Sequence, residues 1–136
     1  MTVPMKNIVF DSYAILKLTQ MESGYKKVKS LLKACQEESI AGFMNQINVG
    51  EVYYKTIRAV GIIKAREFLE NFQRLPITFV VPDSEMILSA AEIKADFSIS
   101  YADCFVLATA LRHNAKALTG DPEFKKTEKL VPVEWV

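Results

Sequence analysis

Four carboxylates stand where chain geometry could bring them together: Asp11, Glu51, Asp103 and Asp121. Asp11 and Asp121 each follow a short apolar run, and Asp103 opens a helical pattern that is apolar nearly all round. Acids gathered in this way repel one another and retain protons unless a cation neutralises them. Oxygen-only donors suit Mg²⁺ or Mn²⁺, which keep waters in their shell and leave room for a phosphate oxygen and an attacking water. The expected chemistry is hydrolysis of a phosphodiester.

Each acid also has a structural explanation. Asp11 before Ser12 can cap a helix, and Asp121-Pro122-Glu123 has the form of an N-cap followed by proline. Ser100-Tyr101-Ala102-Asp103 has capping-box spacing. Glu51 shares a helical face with Asn48, Lys55 and Arg58, so it could simply pair with Lys55. Asp103 argues most independently for function, because a carboxylate at the start of an apolar helix is costly to desolvate without a partner. Thr119, two residues before Asp121, could orient that carboxylate by a hydrogen bond. Lys55 or Arg58 could contact a nucleic-acid backbone, although each taken singly reads as ordinary solvated charge.

The elements that must position these residues alternate between short apolar runs and helical patterns. Ile8–Phe10, Ile77–Val81, Lys116–Thr119 and Val131–Val136 read as strands, the last weakened by Pro132. A helical segment follows Asp11, and Tyr25 to Cys35 forms an amphipathic helix with Lys26, Lys29 and Lys33 on another face. Helices are expected over about Gln46–Val60 and Ile62–Phe72, separated by Gly61, then after Pro82-Asp83-Ser84, and over Tyr101–His113. This order predicts an α/β fold with a mainly parallel central sheet of about five strands. No repeat or linker divides the chain, so residues 1–136 are expected to form one domain.

Composition narrows the chemistry further. With one histidine, His113, a His-rich metal site and a Ser/His/Asp triad both lack support. Cys35 and Cys104 lie far apart without CxxC spacing, which suggests reduced core residues. Seventeen Lys and Arg against sixteen Asp and Glu give a net charge of +1, a weak signature for nucleic-acid binding. Acids gathered in one cleft would nevertheless leave the remaining surface more basic than the total implies. No apolar stretch is long enough to span a bilayer, and Met1 to Asp11 does not read as a leader, so a cytoplasmic location is expected.

Ile8-Val9-Phe10-Asp11-Ser12, Val49-Gly50-Glu51-Val52-Tyr53-Tyr54, Ser100-Tyr101-Ala102-Asp103-Cys104-Phe105 and Thr119-Gly120-Asp121-Pro122-Glu123-Phe124 occur in that order. In these pieces, and over essentially its whole length, the chain resembles the PIN-domain family, and within it the VapC-like toxins of toxin-antitoxin pairs. The resemblance implies a three-layer α/β/α sandwich with Asp11, Glu51, Asp103 and Asp121 around Mg²⁺ or Mn²⁺. It also implies an endoribonuclease acting on RNA, a homodimer and an antitoxin protein partner. All four acidic positions are present, and Ser12 and Thr119 match the family's small polar residues beside the acids, which implies that they orient them. Asp11 and Asp103 are expected to contact the cation directly, with Glu51 and Asp121 acting through water or at a second ion.

Two other classes share parts of this pattern. A phosphoryl-transfer enzyme or receiver also places an Asp after the first strand. The dehalogenase-like form wants a second Asp two residues on, where Tyr13 stands, and a receiver wants an acid pair near the first strand and a late-strand lysine such as Lys116. The third class is a non-catalytic RNA- or protein-binding module on the same fold.

Overall fold

The computed structural model describes residues 6–136; the leader expectation falls partly on residues 1–5, outside that range. The elements run β1 (Lys6–Phe10), α1 (Ser12–Gln20), α2 (Tyr25–Gln36), β2 (Ile40–Asn45), α3 (Gln46–Val60) and α4 (Ile62–Phe72). They continue with β3 (Thr78–Val80), α5 (Ser84–Asp96), α6 (Tyr101–His113), β4 (Lys116–Thr119), a short 3-10 helix (Pro122–Thr127) and β5 (Val133–Trp135). The five strands pair in parallel in the order β3-β2-β1-β4-β5.

Strand alternation divides the core between the two faces of the sheet. Val9 and Ala117 face one layer, where they meet Met86, Ala90 and Ile93 of α5 and Phe105, Val106 and Ala110 of α6. Ile8, Phe10 and Leu118 face the other, against Ile15 of α1, Val28 and Leu32 of α2, Val49 and Val52 of α3 and Phe72 of α4. A sheet covered on both sides explains the near-continuous apolar character of IVF in β1. Helix α6 is buried without interruption from Cys104 to Ala110, as its all-round apolar sequence requires.

Strand β2 is the element that the sequence leaves unassigned. Its residues, IAGFMN, have only one β-branched member and include Gly, Asn and Met, so intrinsic propensity is poor. Tertiary packing selects it instead. A Cβ at Gly42 would lie 2.8 Å from Cys35 Sγ and 3.1 Å from Phe10 Cε2, so glycine lets α2 and β1 close on the strand. At the other edge, β5 is shorter than expected. Pro132 precedes it and still joins the ladder as an acceptor, its carbonyl taking the Ala117 N–H at 3.0 Å.

Candidate active site

The strand order reverses direction between β1 and β4, so the connections leave these neighbours toward opposite edges and open a crevice at their carboxyl ends. Asp11 directly follows β1, and Thr119 ends β4. The Asp11 carboxylate is 2% exposed. Its Oδ1 accepts the Ala14 N–H at 2.7 Å and its Oδ2 accepts the Thr119 hydroxyl at 2.5 Å. Thr119 Oγ1 in turn accepts the Asp121 N–H at 3.0 Å, and Asp121 Oδ1 accepts the Glu123 N–H at 3.0 Å. Asp11 and Asp121 are therefore both helix caps and walls of the crevice. The two roles are compatible, because an ionised carboxylate has about four acceptor positions.

Asp103 and Glu51 reach the same space from different helices. Both line a cavity of about 540 Å³ together with Asp11, Asp121, Ser12 and Glu123. The Ser100 hydroxyl accepts the Asp103 N–H at 3.1 Å, so serine caps α6. The Asp103 carboxylate remains half-buried at the cavity wall. The alternative role of Glu51, an ion pair with Lys55, is not formed among the described residues. Glu51 Oε1 instead accepts from Asn48 Nδ2 at 3.1 Å. Ser12 is buried in the cavity wall, but no hydrogen bond joins it to the acids among the described residues.

The electrostatics follow from burial. Desolvation pushes the Asp11 carboxyl up to about 7, against the lowering effect of the Thr119 and Ala14 hydrogen bonds, and the charges of Asp103 and Asp121 add to the rise. Desolvation also raises Asp103 to about 6, with the Ser100 hydroxyl opposing and the charges of Asp121, Glu51 and Glu123 contributing. Among the described residues, none of the four predicted acids forms an ion pair; Glu123 alone of the cavity acids does, with Lys126 at 2.7 Å. Asp11 is the more deeply buried and more strongly perturbed acid, although Asp103 carried the stronger argument in sequence.

This donor set fits a hydrated divalent cation. Every donor is a carboxylate oxygen, and the Asp11 and Asp103 carboxyls, raised chiefly by burial and further by the neighbouring acids, have no cationic side-chain partner among the described residues. Among the described residues, no three His, Cys, Asp or Glu side chains converge tightly enough to hold an ion directly. A divalent cation in this cavity would take one or two of the carboxylates directly and reach the others through water.

Two cations, Lys55 and Lys94, also line the cavity. Lys94 went unnoticed in the sequence because only the turn between α5 and α6 brings it here, where its Nζ donates to the Ile99 carbonyl at 2.7 Å. Arg58 lies over the Tyr54 ring, 4.9 Å from its centroid. Lys116 is registered with Ile8 at the amino end of β4, away from Asp11. Asn48 was legible only as a member of the Glu51 face; its bond to Glu51 requires the folded helix. No described helix is long and apolar enough to cross a membrane.

Comparison with known proteins agrees with this architecture. A chain of VapBC from Salmonella typhimurium, solved bound to DNA, superposes with a TM-score of 0.73 at 13% identity, covering 96% of this chain and 98% of that one. A chain of VapBC2 from Rickettsia felis, bound to a DNA fragment from its promoter, gives 0.72 at 13% identity, covering 94% and 97%. Mycobacterium tuberculosis VapC20, described as a sarcin-ricin loop cleaving toxin, gives 0.72 at 14% identity, covering 93% and 98%. At such identities the likeness establishes the fold. No curated protein matches the sequence. The PIN domain family model matches residues 8–130, nearly the whole chain, and with the parallel sheet and its acidic crevice this match identifies the chain as a member of the PIN domain family.

Proposed function

We propose that this chain is a Mg²⁺- or Mn²⁺-dependent endoribonuclease and the toxin member of a toxin-antitoxin pair. The observation that carries the reading is one cavity at the β1/β4 switch point, walled by Asp11, Glu51, Asp103 and Asp121 without an ion pair to any of them among the described residues. When bound, the cation supplies Lewis-acid polarisation of a phosphodiester and acidifies a water. Asp11 and Asp103 are assigned to direct contact with it, Glu51 and Asp121 to contact through water. Thr119 orients Asp11 by its hydroxyl hydrogen bond, and Ser12 lines the floor beside it. Lys55 and Lys94 offer positive charge to the RNA phosphates on the rim of an otherwise acidic cavity. The VapBC complexes and VapC20 among the similar structures support an antitoxin partner and an RNA substrate. A single cytoplasmic domain acting as a homodimer completes the proposal.

The receiver form of the phosphoryl-transfer alternative lacks its late-strand lysine at the site, since Lys116 lies at the far end of β4 from Asp11. The deciding experiment compares cleavage of single-stranded RNAs and a sarcin-ricin-type stem-loop by wild type, Asp11→Asn and Asp103→Asn, with Mg²⁺, Mn²⁺ or chelator. Metal-dependent cleavage by wild type alone is expected. Equal cleavage by all three proteins would sink the assignment. Acetyl phosphate labelling of Asp11 without RNA cleavage would favour phosphoryl transfer, and RNA binding without cleavage a non-catalytic module.

A further inference from the structure

Asn48 lies on α3 one turn before Glu51 and is 1% exposed. Its Nδ2 donates at 3.1 Å to Glu51 Oε1 and at 3.1 Å to the carbonyl of Ala102, the residue preceding Asp103. Its Oδ1 is buried with no hydrogen-bond partner among the described residues. The amide orientation is fixed by its neighbours, because the reverse would turn Oδ1 toward a carboxylate and a carbonyl, both acceptors.

We propose that Asn48 is a positioning residue: its amide ties the Glu51 carboxylate to the first turn of α6, so that Glu51 and Asp103 face the cation from a set separation. The inference rests on the assignment of Glu51 to the cation-binding set. An amide nitrogen carries two hydrogens, and here one meets an acceptor on each helix. Neither a leucine nor an aspartate of similar size could do this. Glu51 has no cationic partner among the described residues, so this hydrogen bond is what restrains its rotamers. Stability alone would favour a different residue, since a buried acceptor without a partner is destabilising and an apolar side chain of like volume would remove it. A local rule broken beside an acidic cavity is the pattern expected where function sets the side chain.

The test measures Mn²⁺ binding by electron paramagnetic resonance for wild type, Asn48→Leu, Glu51→Gln and the double variant, with thermal melts of the metal-free proteins. Asn48→Leu is expected to melt at or above wild type yet bind Mn²⁺ roughly 10–100-fold more weakly. The double variant should bind no more weakly than Glu51→Gln alone, because Asn48 acts through the Glu51 carboxylate that the second change has already removed. Asn48→Leu binding like wild type while Glu51→Gln loses affinity would overturn the positioning role and leave the metal site standing. Absence of Mn²⁺ binding by wild type would overturn the metal reading and this inference with it. If Asn48→Leu does not fold, Asn48→Ser, whose single hydroxyl hydrogen cannot serve both acceptors, must show the same weakening for the inference to hold.

Discussion

Thr119, at the end of β4, donates its hydroxyl hydrogen to Asp11, at the end of the neighbouring β1, across 2.5 Å. The same oxygen receives the Asp121 N–H, so one side chain sets two acids of the crevice in relation to each other. Replacing Thr119 by Val keeps the shape and removes both bonds. Thr119→Val is expected to lower stability by about 1–3 kcal/mol and cleavage by roughly 10–100-fold. Thr119→Ser should restore most of both, measured by chemical denaturation and by initial cleavage rates. Loss in Ser with retention in Val would show that the methyl group, rather than the hydroxyl, matters.

The pH dependence of stability has a definite sign. The folded Asp11 carboxyl is raised to about 7 and Asp103 to about 6, both above the ordinary carboxylate value of 3.8, so the folded protein holds protons that the unfolded chain has released. Metal-free stability should therefore fall as pH rises from about 4 and level off above about 7. Asp11→Asn removes most of that slope. At pH 8 it should stabilise the metal-free protein by about 1–3 kcal/mol, a figure discounted for water reaching the cavity, while abolishing cleavage. Denaturation at a series of pH values in chelator checks this; a wild-type profile that rises between pH 5 and pH 8 would contradict it.

Gly120 separates Thr119 from Asp121 in a space that admits no side chain. A Cβ there would lie 2.7 Å from Tyr13 Cε1 and 2.7 Å from the Val136 carbonyl oxygen. The tyrosine ring can move aside more easily than backbone. Gly120→Ala should destabilise by about 1–3 kcal/mol and displace Asp121, weakening Mn²⁺ binding even where the protein remains folded. A normal Mn²⁺ isotherm at unchanged melting temperature would show that this turn has slack.

The bidentate pair between Arg112 and Asp83, at 3.0 and 2.8 Å, provides a contrast. It joins the start of α5 to the end of α6, outside the acidic cavity. Arg112→Lys should loosen this junction without changing metal affinity or cleavage, as read by titration and initial rates. A large loss of cleavage would mean that the α5–α6 arrangement transmits to Lys94 and Asp103.

Much of the scaffold was legible because apolar periodicity reports which faces are buried. IVF before Asp11 marked a strand covered on both sides, and the unbroken apolar character of α6 marked a helix enclosed by other elements. Strand β2 was illegible for the complementary reason: Gly42 is selected by the close approach of Cys35 and Phe10, a contact without local periodicity. The same distinction separates the acids. Asp11, Asp103 and Asp121 stand at element ends that local patterning reveals, whereas Glu51 resembles half of a surface ion pair until Asn48 claims it.

By itself, then, the sequence determined the alternation of strands and helices apart from β2, and the positions of the four acids relative to each element. Only the tertiary structure decided the β3-β2-β1-β4-β5 order, the Thr119 bond joining Asp11 and Asp121, the entry of Lys94, and the tie from Asn48 to both Glu51 and α6. The physical reason is range. Propensity, capping and amphipathic burial act over a few residues and leave a periodic trace, while the separation of two carboxylates depends on contacts between segments tens of residues apart, and each such contact can be made by many local sequences.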